Sequence, residues 1–207
     1  GSGILTTIQY NNSEYSGGIS GNGSLNKSGG RTLTLSGSTD FIGGITIQIG
    51  SIKLGADNVI ADINPVTFDD SSLFAESATL DLNDFSDTVG TITSNYTSSN
   101  ILLGSGSLTI NQAAGADTNF KGVISETGTL TKAGAGTLTL SNTNTYTGLT
   151  TVSAGTLTLD QASNTTGTVI ADTAAVTVNG GILNLADTTE TIGALTLTSG
   201  SITGVSK

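Results

Sequence analysis

The chain of 207 residues is acidic and poor in large apolar side chains: its formal net charge is -10, and 35% of its residues are hydrophobic and 4% aromatic. It contains no His, Cys, Met or Trp, which excludes disulfides, the usual zinc, haem and copper ligand sets, Ser-His-Asp triads and thiol nucleophiles, so we expect no cofactor. Six Lys and Arg against 16 Asp and Glu also exclude a nucleic-acid partner, because that affinity depends on cations that neutralise phosphates.

Short words in which apolar and polar residues alternate recur along the chain and predict β-strands. Thr32–Leu35 and Ile45–Ile49 are early examples, and Thr137–Leu140 is a later one. A period of two sends Leu33 and Leu35 to one side of the strand and the threonines to the other. The predicted structural core consists of the inward positions Leu33, Leu35, Ile52, Leu54, Leu138, Leu140, Leu157 and Leu159.

The chain contains an internal repeat. Tyr15–Leu54 aligns without a gap with Phe120–Leu159 at an offset of 105 residues, and about 16 of these 40 positions are identical. Further similarity extends the copies to residues 15–104 and 120–198; Val59-Ile60-Ala61-Asp62, for example, recurs as Val169-Ile170-Ala171-Asp172. The first copy has an insertion near 63–78. We expect residues 1–207 to form one continuous domain of several coils per copy.

These patterns predict an all-β fold, a single-stranded right-handed parallel β-helix. Strands of this length are too short to be stable alone, whereas laying each one beside the next at about 4.8 Å stacks their apolar residues into columns. Coils of roughly 20 to 25 residues give about nine coils. An antiparallel sandwich also uses short alternating strands and remains the alternative.

Residues 130–157 carry a family resemblance. The run Leu130-Thr-Lys132-Ala-Gly-Ala-Gly-Thr-Leu-Thr-Leu-Ser and the Tyr146-Thr-Gly that follows resemble the autotransporter passenger-associated β-strand repeat. Residues 25–54 look like a degenerate copy, with Phe41 where Tyr146 stands. The resemblance implies a Gram-negative cell-surface or secreted protein, exported through the periplasm and the outer membrane by a translocator barrel expected elsewhere in the parent chain. It implies no catalytic residues.

Two sets of residues are candidates for binding. Asp69 and Asp70, beside Phe68 and Phe74, are candidates for a Ca²⁺ loop in an acidic stretch, since hard cations prefer carboxylate oxygens; a solvated acidic loop is the alternative. Tyr146 and Phe41 occupy matching motif positions, where an aromatic ring either stacks on a sugar or partner or packs at a corner. Thr-x-Thr words such as Thr137/Thr139 are intermittent, which favours an ordinary exposed sheet face over an ice-binding array.

The sequence favours a non-catalytic structural or adhesive stalk whose partner is a host-cell surface, a glycan or a like molecule on a neighbouring cell. The rival hypothesis is a β-helical carbohydrate-active enzyme that uses an acidic pair such as Asp81 and Asp84. We also expect the open ends of the solenoid to associate end to end or to fray, because they expose unpaired backbone and apolar columns.

Overall fold

The computed structural model describes residues 2–70, 76–161, 168–186 and 189–204. Within these ranges the chain forms 22 strands and has no helix long and apolar enough to cross a membrane. The strands are β1 (Ile4–Ile8), β2 (Ser13–Tyr15), β3 (Ile19–Gly21), β4 (Ser24–Ser28), β5 (Thr32–Leu35), β6 (Thr39–Phe41), β7 (Ile45–Ile47), β8 (Gly50–Leu54), β9 (Pro65–Phe68), β10 (Ala78–Asp81), β11 (Asp87–Val89), β12 (Thr91–Ser94), β13 (Asn100–Leu102), β14 (Ser107–Asn111), β15 (Thr118–Phe120), β16 (Val123–Ser125), β17 (Thr129–Ala133), β18 (Thr137–Leu140), β19 (Thr150–Val152), β20 (Thr156–Leu159), β21 (Val176–Asn184) and β22 (Leu195–Thr203).

Every pairing between these strands is parallel, and most strands pair with the strand one turn further along the chain. The result is a β-solenoid of about nine turns, which confirms the predicted fold class. The turns contain between 19 residues, as from Leu138 to Leu157, and 28 residues, as from Ser51 to Thr79. The range 63–78, near which the insertion is predicted, comprises β9 and the corner between β9 and β10, and residues 71–75 of that corner lie outside the described residues.

Each turn has three faces, which we number in chain order. Face 1 contains β1, β4, β7, β9, β12, β15, β18, β20 and the second halves of β21 and β22. Face 2 contains β2, β5, β8, β10, β13 and β16. Face 3 contains β3, β6, β11, β14, β17, β19 and the first halves of β21 and β22.

Inward side chains of successive turns stack into apolar columns along the rod. On face 2 the register places Leu33, Ile52, Leu80, Ile101 and Ile124 one above another, and all five are buried. The outward residues beside them are partly buried in β5, β8 and β13, as period-two alternation requires, and in β10 the outward Thr79 is buried. The core is therefore narrow and continuous, which is how a chain with few aromatic residues still buries its apolar side chains.

The two copies of the internal repeat lie on different faces. In the first copy β4 and β5 lie on faces 1 and 2, whereas their counterparts β17 and β18 lie on faces 3 and 1. The offset of 105 residues thus equals four turns plus two faces. The repeat preserves local structure at strands and corners, and it does not preserve the direction in which its outer surface points.

Candidate functional site

The structure places the eight predicted core residues in the interior. All of them are 5% exposed or less: Leu33, Leu35, Ile52, Leu54, Leu138, Leu140, Leu157 and Leu159. Their outward neighbours in the same strands are partly exposed threonines, serines and Lys53.

Tyr146 and Phe41 also point inward. Tyr146 is fully buried and its hydroxyl shares a hydrogen bond of 2.6 Å with the Thr150 hydroxyl, while Phe41 is 2% exposed at the end of β6. Burial raises the pKa of Tyr146, and the Thr150 hydrogen bond opposes that shift. Neither ring is accessible to a sugar or partner outside the rod. The burial of both rings therefore favours packing at a corner over stacking on a sugar or partner.

The candidate calcium residues lie where face 1 ends after β9. Asp70 is largely buried and accepts a hydrogen bond from the Ser98 hydroxyl, and the Asp69 amide donates to the Ile47 carbonyl at 2.9 Å. Phe74 lies outside the described residues. Within the described ranges no three acidic side chains approach one another closely enough to hold a metal ion. Calcium binding at Asp69 and Asp70 stays a prediction.

Several acidic side chains bind the backbone of a neighbouring turn. Asp57 accepts a hydrogen bond from the Ser86 amide at 2.7 Å, and Asp84 accepts from the Ser105 amide at 2.8 Å. Glu126 accepts from the Gly104 amide at 2.5 Å. These corner amides have no strand partner, and a carboxylate acceptor from the adjacent turn satisfies them. Part of the acidity of this chain is thus used in links between turns.

A carboxylate binds the recurring Val-Ile-Ala-Asp word in both copies. Asp87 accepts from the Val59 and Ile60 amides at 2.9 and 3.0 Å, and Glu190 accepts from the amides of Val169 and Ile170. Burial raises the pKa of Asp87 to about 6, while the two amide hydrogen bonds oppose the shift. Burial likewise raises the pKa of Glu190. One acid therefore ties each corner to the following turn.

Two lysines occupy the interior at equivalent positions of the repeat, a feature that sequence reasoning missed. The Lys27 ammonium donates to the carbonyls of Ser28, Gly29 and Ile49 at 3.2, 2.7 and 3.0 Å. Lys132 makes the same three contacts at the corresponding residues, and both side chains are fully buried. Each lysine thereby joins a corner to the corner one turn later.

Burial lowers the pKa of both lysines to about 8, and the charges of Glu76 and Asp117 respectively oppose the shift. The sequence did contain a signal for this arrangement. Leu25-Asn-Lys27 and Leu130-Thr-Lys132 place lysine in the inward register of an alternating word, in both copies. Lysine is rarely fully buried, so the residue type itself predicts an exposed side chain at both positions.

A polar groove of about 430 Å³ at the end of face 2 contains the acidic pair of the rival hypothesis. Asp81 pairs with Lys53 at 3.5 Å and accepts from the Asn83 amide, while Asp84 and Glu126 line the same groove. Three residues of this corner have positive φ, a conformation that residues other than glycine rarely adopt: Asn83, Asp84 and Glu126. The structure brings Asp81 and Asp84 together, with both carboxylates already hydrogen-bonded within the rod.

Both ends of the rod expose the apolar interior. At the N-terminal turn a hollow of about 540 Å³ is lined by Leu5, Ile19 and Leu25, and Leu5 is half exposed. At the C-terminal turn Leu195 and Leu197 are also half exposed. In the described chain the first strand, β1, pairs only with β4, and the last, β22, pairs only with β21. The inward side chains of these two strands are therefore covered on one side only.

Two segments of the chain match the model of a known repeat family. The model of the passenger-associated transport repeat matches residues 25–54 and 130–159, the segments that hold the two buried lysines and the strands around them. Two stretches of 30 residues thus resemble this repeat. Each repeat comprises four strands or more, from β4 to β8 in the first and from β17 to β20 in the second.

The chain is also similar to a curated protein, the adhesin BmaC autotransporter of Brucella suis biovar 1 (strain 1330). The identity is 35% over 140 residues, which are 67% of this chain and 4% of that protein. The chain thus spans a small part of the length of the curated relative it matches. No solved structure matches the chain.

Proposed function

We propose that this chain is a non-catalytic stalk segment of an autotransporter passenger, located at the surface of a Gram-negative bacterium or secreted from it. The observation that carries the proposal is the occurrence of two transport repeats as structural units of a parallel β-solenoid. The likeness to a protein named as an adhesin supports an adhesive role. The partner would be a host-cell surface, a glycan or a like molecule on a neighbouring cell.

The adhesive role is tested by measuring how much fluorescently labelled chain is retained on cells and on a glycan array. We expect saturable retention of the folded chain on mammalian cells or on particular glycans of an array, and no retention of the heat-unfolded chain. Retention that does not saturate, or equal signals from folded and unfolded chain, would count against adhesion and leave a spacer.

We also propose that the repeats assist export through a translocator barrel in the parent chain. A solenoid adds turns in sequence, and a turn that folds outside the cell resists sliding back. The buried lysines join successive turns in each repeat, so Lys27→Met with Lys132→Met should reduce the amount of chain displayed when it is fused to a translocator barrel. Lys121→Met, at a half-exposed lysine, is the matched control and should display normally.

The absence of catalysis is tested on the groove that holds Asp81 and Asp84. We expect no cleavage of acidic polysaccharides by the chain, with or without Ca²⁺. Cleavage that Asp81→Asn or Asp84→Asn abolishes would establish the rival enzymatic function instead.

A further inference from the structure

The single arginine of the chain lies in a hollow between two successive corners of the rod. Asn11 and Asn12 are on the corner between β1 and β2, and Arg31 is one turn later, on the corner between β4 and β5. These three residues line the hollow, which has a volume of about 210 Å³ and which we call the arginine pocket. All three are exposed, so side chains of both turns are accessible there to a molecule from solvent.

The arginine pocket contains hydrogen-bonding groups without a partner. In the part of the chain that the structure describes, neither the Arg31 guanidinium nor the Asn11 side chain makes a hydrogen bond or ion pair. Asn12 uses only its side-chain carbonyl, which accepts a hydrogen bond from the Thr32 amide at 3.1 Å. That contact holds Asn12 between the two turns and leaves its NH2 group free to donate.

The second copy of the repeat forms the same corner without these side chains. At the offset of 105 residues the corresponding positions are Ala116, Asp117 and Gly136. Asp117 accepts from the first amide of β18 at 2.9 Å, as Asn12 does from the first amide of β5. The first copy thus keeps the structural contact, but it lacks the carboxylate and has an additional amide and a guanidinium. The contacts that form the corner do not require this exchange.

An exposed aromatic ring adds to the difference between the two corners. Tyr10 precedes Asn11 on the same corner and is 79% exposed, and its counterpart in the second copy is Gly115. A tyrosine combines an apolar ring face with a polar hydroxyl, which suits contact with a sugar ring. The first copy therefore carries an aromatic side chain, two amides and a guanidinium where the second has Gly, Ala, Asp and Gly.

The charge of the pocket favours an anionic ligand. The net charge of -10 repels anions from the chain in general, so a bound anion depends on a local cation. The carboxylate of Glu76 approaches Gly30, next to Arg31, but forms no ion pair with the guanidinium. Arg31 is therefore available to an external anion, and Glu76 limits the affinity.

A carboxylated sugar matches these groups. A guanidinium binds a carboxylate through two parallel N–H···O bonds, and amide side chains donate to and accept from hydroxyls. The volume is below the roughly 300 Å³ of the smallest drug-sized sites, which suits one sugar unit. We propose that the arginine pocket binds the carboxylated unit of an acidic glycan, with Arg31 on the carboxylate and Asn11 and Asn12 on the hydroxyls. This inference rests on the proposed adhesive function and names the class of its ligand.

NMR titration of the 207-residue chain with methyl glucuronide tests the proposal. Saturable shifts should appear at the backbone amides of Asn11, Asn12, Arg31 and Thr32, with a Kd on the order of 1 mM for so small a ligand. Methyl glucoside, which has the same ring without the carboxylate, should bind about tenfold or more weakly. Glucose 6-sulfate separates carboxylate from sulfate recognition and should also bind more weakly than the glucuronide. Equal binding of either of these two sugars would overturn the assignment.

Variants of the pocket assign the binding to its residues. Arg31→Gln should weaken glucuronide binding about tenfold or more, and Arg31→Lys should weaken it less, because a lysine keeps the charge but not the bidentate geometry. Asn12→Asp introduces the acid of the second copy, keeps an acceptor for the Thr32 amide and should abolish binding. Lys121→Gln removes one positive charge at a distant, partly exposed position and should bind as wild type does. Glucuronide binding that Arg31→Gln and Asn12→Asp leave unchanged would overturn the proposal.

The pocket and the adhesive role can fail separately. Circular dichroism verifies that the variants, which replace exposed side chains, are folded. If labelled wild type and Arg31→Gln are retained equally on cells and wild type does not bind glucuronide, the pocket is refuted and the adhesive role stands. If wild type binds glucuronide through Arg31 but is not retained on any cell or glycan surface, the pocket is supported and the adhesive role fails.

Discussion

Lys27 and Lys132 hold their ammonium groups inside the rod because each has three carbonyl acceptors there. Their lowered pKa has a consequence for stability. Between about pH 8 and about pH 10.5 the unfolded chain keeps the protons that the folded chain releases. The contribution of these lysines to the free energy of unfolding therefore rises with pH across this window.

Denaturant unfolding across that window should show the effect. The free energy of wild type minus that of Lys27→Met with Lys132→Met should increase from pH 8 to pH 10.5, and taking the difference cancels the titration of the other groups. Lys121→Met, which replaces a partly exposed lysine, is the matched control for the loss of a lysine side chain. If the free energies of unfolding of wild type and the double variant changed with pH in parallel, burial would not lower the pKa of these two lysines.

Asp87 makes the free energy of unfolding fall, not rise, with increasing pH, and it does so in a lower pH range than the lysines. Its pKa is raised from 3.8 to about 6, so the folded chain binds the extra proton, and the stabilisation it provides is complete below about pH 4 and lost as pH rises through about 6. Asp87→Asn has no such titration. Wild type should lose free energy of unfolding relative to Asp87→Asn between pH 4 and pH 6. A difference that stays constant with pH would mean that Asp87 titrates normally.

At the scale of strands, the columns of face 2 make inward and outward neighbours unequal. Ile101 is fully buried in β13 between Leu80 and Ile124, whereas Leu102 beside it points outward and is half-buried. Ile101→Ala should therefore cost about 2–5 kcal/mol, and Leu102→Ala clearly less. Denaturant unfolding measures both. Equal losses would contradict the stacking of the column.

Corners impose a second constraint, because successive turns approach closely there. A Cβ on Gly128 would lie 2.3 Å from the Gly106 carbonyl oxygen, whereas one on Gly18 would lie 3.5 Å from the Ser38 carbonyl oxygen. Gly128→Ala should destabilise the chain by forcing the turns apart, and Gly18→Ala should be tolerated. Thermal unfolding compares them, and a Gly128→Ala protein as stable as the Gly18→Ala protein would show that the corner can open without cost.

At the scale of the whole molecule, local pattern predicts strands and core but not surface. Leu33 and Leu138 could be assigned inward from period two alone, since alternation needs no knowledge of neighbouring turns. The register between turns could not be predicted, because successive turns differ in length. For the same reason the sequence does not reveal that Lys27 and Lys132 lie at corners between different faces; only the register shows it.

The ends of the rod provide the last prediction. Ile4 and Leu5 in β1 and Leu195 and Leu197 in β22 are at least half exposed, and each end strand has a partner on one side only. Amide hydrogen exchange should thus be faster in β1 and β22 than in β13. End-to-end contact would cover these strands, so raising the protein concentration should slow exchange at β1 and β22 and leave β13 unchanged. Leu5→Lys with Leu197→Lys should abolish that concentration dependence, whereas Thr34→Lys with Ser125→Lys, at outward positions of face 2, should not. Fully protected terminal amides in a strictly monomeric chain would contradict this account of the ends.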